Sequence, residues 1–289
     1  MIDTRKVLRH YFKSPTALFC TIIILFFGVL AIGADWIAPD NPYDLRTFSL
    51  SDRMKPPAWM QGGSVAFVLG TDDQGHDILS TIIYGLRTSF LVGFGVIALS
   101  TLVGSILGLI AGYFGRLIDA AICRIADVML SFPAFLMALL LLGVLKWQGE
   151  IPVILAISAI FWVRYARVMR GNVLAEKARE YVDAARSLGA GHLRIIFSHL
   201  LPNAVSTLFV IAAVDLGMVI VLESTLSFLG VGMPLTTPSL GMMIASGYNY
   251  LYAGIWWVVL FPGLVLALLI LAINLLGDWL RRELNPRMQ

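Results

Sequence analysis

Two carboxylates inside an apolar run are the residues of this sequence best placed to do chemistry. Asp215 and Glu223 lie within or near the end of the run 204–229. Their spacing is roughly two helical turns, so the side chains project about 80° apart. A carboxylate in hydrocarbon costs ~2.5–3.5 kcal/mol, so such groups normally face a cavity or a partner. We expect them either to line a polar path for a solute, or to pair within the bundle and cap structure near the membrane interface.

The other reactive side chains do not form a recognisable catalytic or metal-binding pattern. The four histidines have no ligand spacing, and both cysteines lie in or beside apolar segments, so neither a disulfide framework nor a metal site is predicted. The sequence contains no nucleophile and base at a spacing that would indicate an intramembrane enzyme. No lysine occurs in the Gly-x-x-x-x-Gly-Lys-[Ser/Thr] pattern that cradles ATP phosphates. We therefore predict no catalytic residue, no cofactor and no metal in this chain. The histidines are His10, His76, His192 and His199, and the cysteines are Cys20 and Cys123.

The composition places these residues in a membrane protein. Of 289 residues, 58% are hydrophobic and 13% are charged, and the mean hydropathy is +0.84. A spanning helix needs ~20 apolar residues. The first run exceeds the ~7–15 residues of a signal-peptide core, so we expect a retained span. The fourth apolar run, 151–163, is short by itself, and its helix should continue to about Met169. Six spans are predicted, at 17–34, 88–113, 126–145, 151–163, 204–229 and 255–277.

The distribution of basic residues orients these six spans. With the N-terminus inside, all but five of the 21 Lys and Arg residues fall on the cytoplasmic side. The positive-inside rule then places both termini in the cytoplasm. We expect one transmembrane domain, 1–289, with an external loop region at 35–86 and a cytoplasmic loop at 164–203. We expect it to contact lipid and no nucleic acid. The five external residues are Arg46, Arg53, Lys55, Arg87 and Lys146.

Glycines within the spans predict close helix packing. Gly104, Gly108 and Gly112 are four residues apart and share one helical face. Small residues at that spacing let helix backbones approach closely. They could pack within the bundle or against another subunit. The segment 226–241, rich in Gly and Pro, predicts a partly re-entrant, non-helical excursion after the fifth span.

The polar stretch EYVDAARSLGAGHLRIIFSHLLPN, residues 180–203, is called the elbow here. Apolar residues recur with helical spacing over 174–188, and Gly189 and Gly191 end that predicted helix. A second short helix follows, and Pro202 restarts the chain into the fifth span. The charges are mixed in sign, unlike those of a basic membrane-surface helix. The pattern favours a helix that offers its apolar ridge to a groove on another protein.

The elbow resembles the EAA loop of bacterial ABC-importer permeases. The residues 183–185 (Asp-Ala-Ala), Gly189 and 201–202 (Leu-Pro) match that pattern in register. Asp183 replaces the usual glutamate, and His199 occupies the position of an isoleucine. Other segments are similar to the dipeptide/oligopeptide/nickel permease family, most closely its C-type subunit. These segments are LGTDDQGHDILSTIIYGLRTS, GLIAGYFGRLIDAAICRIADVMLSFP, ESTLSFLGVG, FPG and NLLGDWLRRELNP.

This resemblance implies an all-α, type I ABC-importer permease fold in the bacterial inner membrane. It also implies a second, homologous permease subunit, one or two cytoplasmic ATPase subunits that bind ATP and Mg, and an external solute-binding protein, which we expect the region 35–86 to help receive. In the family the elbow inserts into a groove of the ATPase. The residues expected to carry that coupling are Glu180, Asp183, Ala184, Ala185, Arg186, Gly189, His192, Leu201 and Pro202.

The resemblance implies import of di- or oligopeptides, with a nickel chelate or another small solute as the alternative. A different class of transporter also remains open from the residues alone. Asp215 and Glu223 could couple solute movement to a proton gradient in a secondary transporter. Inverted repeats are expected of many such folds, and no two matching halves are found in this sequence.

Overall fold

The computed structural model describes residues 4–44 and 50–284. Within them the regular structure is helical, apart from one isolated bridge between Thr71 and Asp77. Arg46 and Arg287, which contribute to the predicted charge distribution, lie outside the described residues. The α-helices are α1 Thr4–Lys13, α2 Pro15–Ile32, α3 Ala34–Ile37, α4 Ile78–Phe114, α5 Arg116–Leu130, α6 Ala134–Leu145, α7 Glu150–Lys177, α8 Glu180–Ser187, α9 His192–Ile195, α10 Leu201–Phe228, α11 Leu240–Tyr248 and α12 Trp257–Leu284.

Five helices of the described chain are long and apolar enough to cross a membrane by themselves. They are α2, α4, α7, α10 and α12. The predicted third span, 126–145, is wrong as one continuous helix, because α5 and α6 meet at a bend of 91°. Pro133 stands immediately before α6. A proline lacks the backbone N–H and disfavours helical geometry in the preceding residue, so the helix ends before it.

The packing of α4 on α7 shows that α5 and α6 together form one more crossing, which is the third along the chain. A Cβ added to Gly95 would lie 2.8 Å from Ile154, and one added to Gly112 would lie 2.9 Å from Val173. Residue numbers rise together along the contact, so α4 and α7 run parallel. The intervening α5–α6 pair must therefore carry the chain back across the bundle. The prediction of six transmembrane segments is confirmed with this bent third segment.

The two ends of the described chain lie at the same end of the bundle. His10 Nδ1 in α1 is 3.0 Å from a carboxylate oxygen of Glu283 in α12. The rings of Tyr11 and Trp279 meet edge to face, with their centroids 5.5 Å apart. The shared location agrees with an even number of crossings, and the charge distribution assigns that end to the cytoplasm.

The helix α4 begins ten residues earlier than the predicted second span. The Asp77 carboxylate accepts a hydrogen bond from the backbone N–H of Ser80 at 2.8 Å, an N-cap that starts the helix at Ile78. The irregular part of the predicted external region thus ends at Asp77, and residues 78–86 belong to α4. We call residues 38–77 the external lobe. Its described part is built mainly of turns and is covered on one side by Trp257, which donates a hydrogen bond to the carbonyl of Thr71 at 3.3 Å.

The predicted excursion after the fifth span includes a helix that the sequence reasoning missed. Residues 229–239 are non-helical, as expected, but α11 then lies between α10 and α12. A Cβ on Gly241 would lie 2.2 Å from the carbonyl oxygen of Ser224, and one on Gly247 would lie 2.8 Å from Val258. The glycines let this short helix approach both neighbours closely.

Candidate functional site

The elbow contains two helices separated by a turn at Gly189, but their boundaries differ from the prediction. The predicted helix over 174–188 is two helices, because α7 continues to Lys177 and α8 begins at Glu180. Arg179 between them has an extended backbone. Most of the first half of the predicted cytoplasmic loop 164–203 is therefore helix α7. Gly189 has φ +81°, the left-handed geometry expected of a residue that ends a helix.

One side of the elbow is anchored in the bundle. Val182 of α8 and Leu200 are fully buried, and Ile195 of α9 is almost so. They belong to one apolar cluster with Tyr165 and Met169 of α7. Burial of each large aliphatic side chain contributes about 1.5–3 kcal/mol, so the elbow is held firmly against the helices that precede it.

The other side of the elbow leaves large apolar side chains in the open. Leu188 is 88% exposed, Leu193 is 71% exposed and Phe197 is 60% exposed. We call these three residues the elbow ridge. Of the residues expected to couple, Ala185 and Leu201 are half-buried and the rest are exposed. Those exposed residues are Glu180, Asp183, Ala184, Arg186, Gly189, His192 and Pro202.

A tyrosine that the sequence reasoning did not single out connects the elbow to α4. The hydroxyl of Tyr113 lies 2.6 Å from Nδ1 of His192. The ammonium of Lys177 donates a hydrogen bond to the Tyr113 carbonyl at 2.5 Å and lies 5.4 Å from the centre of its ring. The end of α4, the end of α7 and the start of α9 therefore meet at one side chain.

The chain does not restart at Pro202 as predicted. The helix is continuous from His192 to Phe228, with a π-helical turn at Ile196–Leu200. In that turn the N–H of Leu201 bonds to the carbonyl of Ile196, five residues earlier. Pro202 directly follows this turn, and the wider turn leaves room for its ring beside the preceding carbonyl groups. The side chain of His199 is outside the described part of the chain.

Glu223 joins α10 to the segment that follows it. The side chain is fully buried. It accepts hydrogen bonds from the hydroxyls of Ser227 at 2.8 Å, Ser239 at 3.0 Å and Ser224 at 3.2 Å. Ser239 stands at the end of the non-helical segment 229–239. These contacts support the alternative interpretation of Glu223, in which the carboxylate holds local structure together.

Asp215 pairs with an arginine inside the bundle. Its side chain is fully buried, and its carboxylate accepts a hydrogen bond from Arg164 of α7. Arg164 therefore lies within a spanning helix, and not in the cytoplasmic loop to which the charge distribution assigned it. Half of the Arg164 side chain, 49%, is exposed. The contact agrees with the expectation that Asp215 pairs within the bundle. The Asp215 carboxylate is not exposed at the surface of this chain.

The three regularly spaced glycines face α7 inside the same chain. A Cβ on Gly104 would lie 2.5 Å from the carbonyl oxygen of Trp162, and one on Gly108 would lie 2.3 Å from that of Ala166. Gly112 lies against Val173 in the same way, at 2.9 Å. The glycine face is thus used for packing of α4 on α7, the parallel contact that sets the architecture.

A cavity of about 640 Å³ with mixed polar and apolar walls opens at the outer end of the bundle. It lies between the external lobe, with Tyr43, Asp72 and His76, and the segment 235–246. His76 Nδ1 is 3.0 Å from the Asp72 carboxylate. That hydrogen bond raises the pKa of His76, although burial acts in the opposite direction. Among residues 4–44 and 50–284, no three His, Cys, Asp or Glu side chains come together as metal ligands would.

Comparison with known proteins agrees with this architecture. Residues 104–289 match the family described as binding-protein-dependent transport system inner membrane component, and residues 4–57 match the N-terminal TM domain of oligopeptide transport permease C. The dipeptide transport system permease protein DppC of Haemophilus influenzae (strain ATCC 51907 / DSM 11121 / KW20 / Rd) is 40% identical over 280 residues, with 96% of this chain and 93% of that protein covered.

Two further relatives and one solved structure give the same result. DppC of Escherichia coli (strain K12) is 42% identical over 285 residues, covering 97% of this chain and 92% of that protein. The di/tripeptide transport system permease protein DppC of Pseudomonas aeruginosa (strain UCBPP-PA14) is 39% identical over 269 residues, covering 93% of this chain and 87% of that protein. A chain of the inward-facing MetNI methionine ABC transporter has a TM-score of 0.51 at 20% identity, covering 71% of this chain and 94% of that chain. This last likeness concerns the fold.

The fold and the elbow together define a multi-pass permease of the bacterial inner membrane with the type I ABC-importer architecture. The chain belongs to the family of binding-protein-dependent transport system inner membrane components, and its place there is that of the C-type subunit of dipeptide/oligopeptide ABC permeases.

Proposed function

We propose that this chain forms half of the translocation pathway of an ATP-driven peptide importer and receives mechanical work at the elbow. One or two cytoplasmic ATPase subunits hold ATP and Mg, and a second, homologous permease subunit supplies the other half of the pathway. This chain catalyses no reaction itself. The observation that carries the proposal is the elbow ridge, whose apolar side chains are exposed on a segment that is otherwise firmly anchored.

The elbow ridge fits a groove on a soluble protein better than it fits lipid. Glu180, Asp183 and Arg186 stand on the same short helix and carry charges of both signs. Exposed apolar side chains flanked by such charges are typical of a helix that docks into a protein groove. The ATPase is the partner whose motion the chain must receive, so we assign the elbow ridge to it.

The anchored side of the elbow supplies a route for the motion. Tyr113 joins the end of α4 to α7 and α9 through Lys177 and His192. The π-helical turn then leads without interruption into α10. A displacement of the elbow therefore acts on α4, α7 and α10, which are three of the helices that span the membrane.

The cargo that we propose is a di- or oligopeptide delivered by an external solute-binding protein. The relatives named for dipeptide or di/tripeptide transport cover almost the whole chain at 39–42% identity. The external lobe and the cavity beside it lie at the outer end of the bundle, so we propose that residues 35–86 help to receive the binding protein. Deletion of residues 40–63 should abolish stimulation of ATP hydrolysis by the loaded binding protein.

The experiment for the elbow is co-purification of the ATPase with this chain in detergent. We expect Leu188→Asp, and Asp183→Lys in a separate variant, to lower the amount of bound ATPase while membrane insertion stays normal. Burying one unpaired charge in an interface costs several kcal/mol, which corresponds to a loss of affinity of about 100-fold or more. Val65→Asp is the matched control, since Val65 is 87% exposed in the external lobe. Normal ATPase binding and normal transport in both elbow variants would defeat the assignment.

A further inference from the structure

Arg164 and Asp215 form an ion pair halfway along two membrane-spanning helices. Arg164 lies about 20 Å from either end of α7, and Asp215 lies about 20 Å from either end of α10, at 1.5 Å per residue. The pair is unequal, because Asp215 is fully buried whereas the Arg164 side chain is 49% exposed. Asp215 thus fixes one end of a guanidinium group whose other end reaches the surface of this chain.

Most of the hydrogen-bonding capacity of Arg164 is unused. One terminal nitrogen, Nη1, donates to Asp215 and approaches the sulfur of Met218 at 3.8 Å. Within the described residues, Nε and Nη2 have no hydrogen-bond partner. A guanidinium group has five N–H donors, and leaving it against lipid near the middle of a membrane is costly. The exposed side of Arg164 therefore faces another protein surface or a path that admits water and solute.

A groove of about 360 Å³ lies within one helical turn of Arg164. Arg164 is one helical turn towards the cytoplasmic end from Phe161, which lines the groove, and it contacts Met218, which lines it as well. The cavity volume falls within the ~300–1,000 Å³ typical of small-molecule sites. The walls come from α6, α7, α10 and α12. The lining residues are Ala134, Phe135, Phe161, Met218, Val221, Leu222, Thr225 and Asn274.

The composition of the groove differs from the faces of the chain that are suited to lipid. The exposed face of α2 is built of residues such as Phe19, Ile22 and Leu25. The groove instead places Thr225 and Asn274 among its apolar side chains, and its lining residue Met218 contacts Arg164. Apolar walls with a few polar groups are characteristic of sites for small ligands.

We propose that Arg164 binds the terminal carboxylate of the peptide as it crosses the membrane, with the peptide side chains in the groove. This inference rests on the proposed peptide cargo. The planar guanidinium matches a carboxylate through two parallel hydrogen bonds. Asp215 positions Arg164 and neutralises its charge, so the cargo binds to a neutral pair and dissociates readily. Passage through a pathway requires binding that is favourable enough for entry and weak enough for release.

The test uses the complete complex in proteoliposomes, with this chain carrying Arg164→Gln and Asp215→Asn together. The double change keeps two amide side chains in contact and leaves no unpaired buried charge. Dipeptide uptake should fall about 10-fold or more, the range expected when a hydrogen-bonded charge is lost. ATP hydrolysis stimulated by the loaded binding protein should stay within about two-fold of the unchanged complex. The rate of stimulated ATP hydrolysis separates a failure of cargo binding from a failure of the proposed coupling.

A photolabel locates the cargo directly. A dipeptide with a benzophenone side chain, irradiated during ATP turnover, should label Met218 or Phe161, and the double change should abolish that labelling. The matched control is Arg167→Gln with Asp127→Asn, a neighbouring pair of the same chemistry whose side chains are 53% and 57% exposed on α7 and α5. It should leave uptake and labelling unchanged.

Three results would overturn the proposal. One is uptake and labelling in the double variant equal to those of the unchanged complex. Another is labelling confined to residues outside the groove. The third is loss of the partner permease from the purified double variant, which would make the ion pair a contact between subunits.

Discussion

The hydroxyl of Tyr113 and the ring nitrogen Nδ1 of His192 are 2.6 Å apart, and this contact joins the inner end of α4 to the elbow. The helix α4 is 37 residues long, which corresponds to about 55 Å. Its outer end, capped by Asp77, adjoins the external lobe. One continuous helix therefore connects the surface that faces the solute supply to the segment that we assign to the ATPase.

Removal of the Tyr113 hydroxyl should weaken coupling without dissociating the ATPase. In Tyr113→Phe the ring and the Lys177 contacts stay in place, while the hydrogen bond to His192, worth about 0.5–1.5 kcal/mol, is lost. We expect ATP hydrolysis to continue while fewer peptides are imported per ATP. The measurement is the ratio of uptake to ATP hydrolysis in proteoliposomes. Tyr252→Phe is the control, because Tyr252 is 94% exposed and distant in sequence from the elbow. An unchanged ratio in Tyr113→Phe would contradict this role.

Two neighbouring glycines of the elbow should respond differently to the same change. Gly189 has φ +81°, where a side chain costs about 1–2 kcal/mol, whereas Gly191 has φ −69°, which any residue adopts. Neither has an atom within 4 Å of an added Cβ, so conformation alone separates them. We predict weaker ATPase binding for Gly189→Ala and normal binding for Gly191→Ala, measured by co-purification. Equal behaviour of the two variants would show that the turn geometry is unimportant.

The contact between α4 and α7 should be intolerant of a single methyl group. Gly108→Ala places the new Cβ 2.3 Å from the carbonyl oxygen of Ala166, a backbone atom that cannot move aside. Overpacking of this kind costs about 1–3 kcal/mol, so the midpoint of thermal unfolding in detergent should fall. Gly143→Ala in α6 meets nothing within 4 Å and should leave the midpoint unchanged or raise it. A midpoint unaffected by Gly108→Ala would refute the packing described for this face.

The external lobe should become less stable as the pH rises. The Asp72 hydrogen bond raises the pKa of His76 above the ordinary value of 6.5, and Asp73 and Asp40 favour the charged ring too. The stabilisation is complete below 6.5 and is lost as the pH rises through the raised pKa. Amide hydrogen exchange in residues 71–77, corrected for the intrinsic pH dependence, should be less protected at about pH 9 than at about pH 6. His76→Gln should remove this difference, and His10→Gln at the opposite end of the bundle should preserve it. The same pH dependence in His76→Gln would exclude the pair as its cause.

The positions of the spans could be predicted because a membrane crossing demands a long apolar run. The bend before Pro133 could not be predicted, whereas the continuation of the fourth span to about Met169 was expected and α7 runs on to Lys177. A proline in an apolar run either ends a helix or is accommodated, as Pro202 is, and the choice depends on neighbours. The charge of Arg164 suggested a cytoplasmic position, whereas its contact with Asp215 allows it to lie within the bundle. Such a pairing depends on contacts between helices that are far apart in sequence.

The elbow was recognisable from its sequence, but its connection to the bundle was not. The ridge residue Leu188 and the turn at Gly189 are local features, and apolar periodicity and glycine geometry predict them. Tyr113 carries no local signal, because a tyrosine at the end of an apolar run is common at membrane interfaces. Its role follows from the approach of His192, 79 residues later in the chain.

The most direct test of the central claim is uptake of a radiolabelled dipeptide into proteoliposomes containing this chain, its partner permease, the ATPase subunits and the binding protein. We predict uptake that requires ATP and the ATPase, and that is lost in Leu188→Asp with the binding protein still able to hold peptide. Uptake by this chain alone, driven by a proton gradient and indifferent to ATP, would contradict the account.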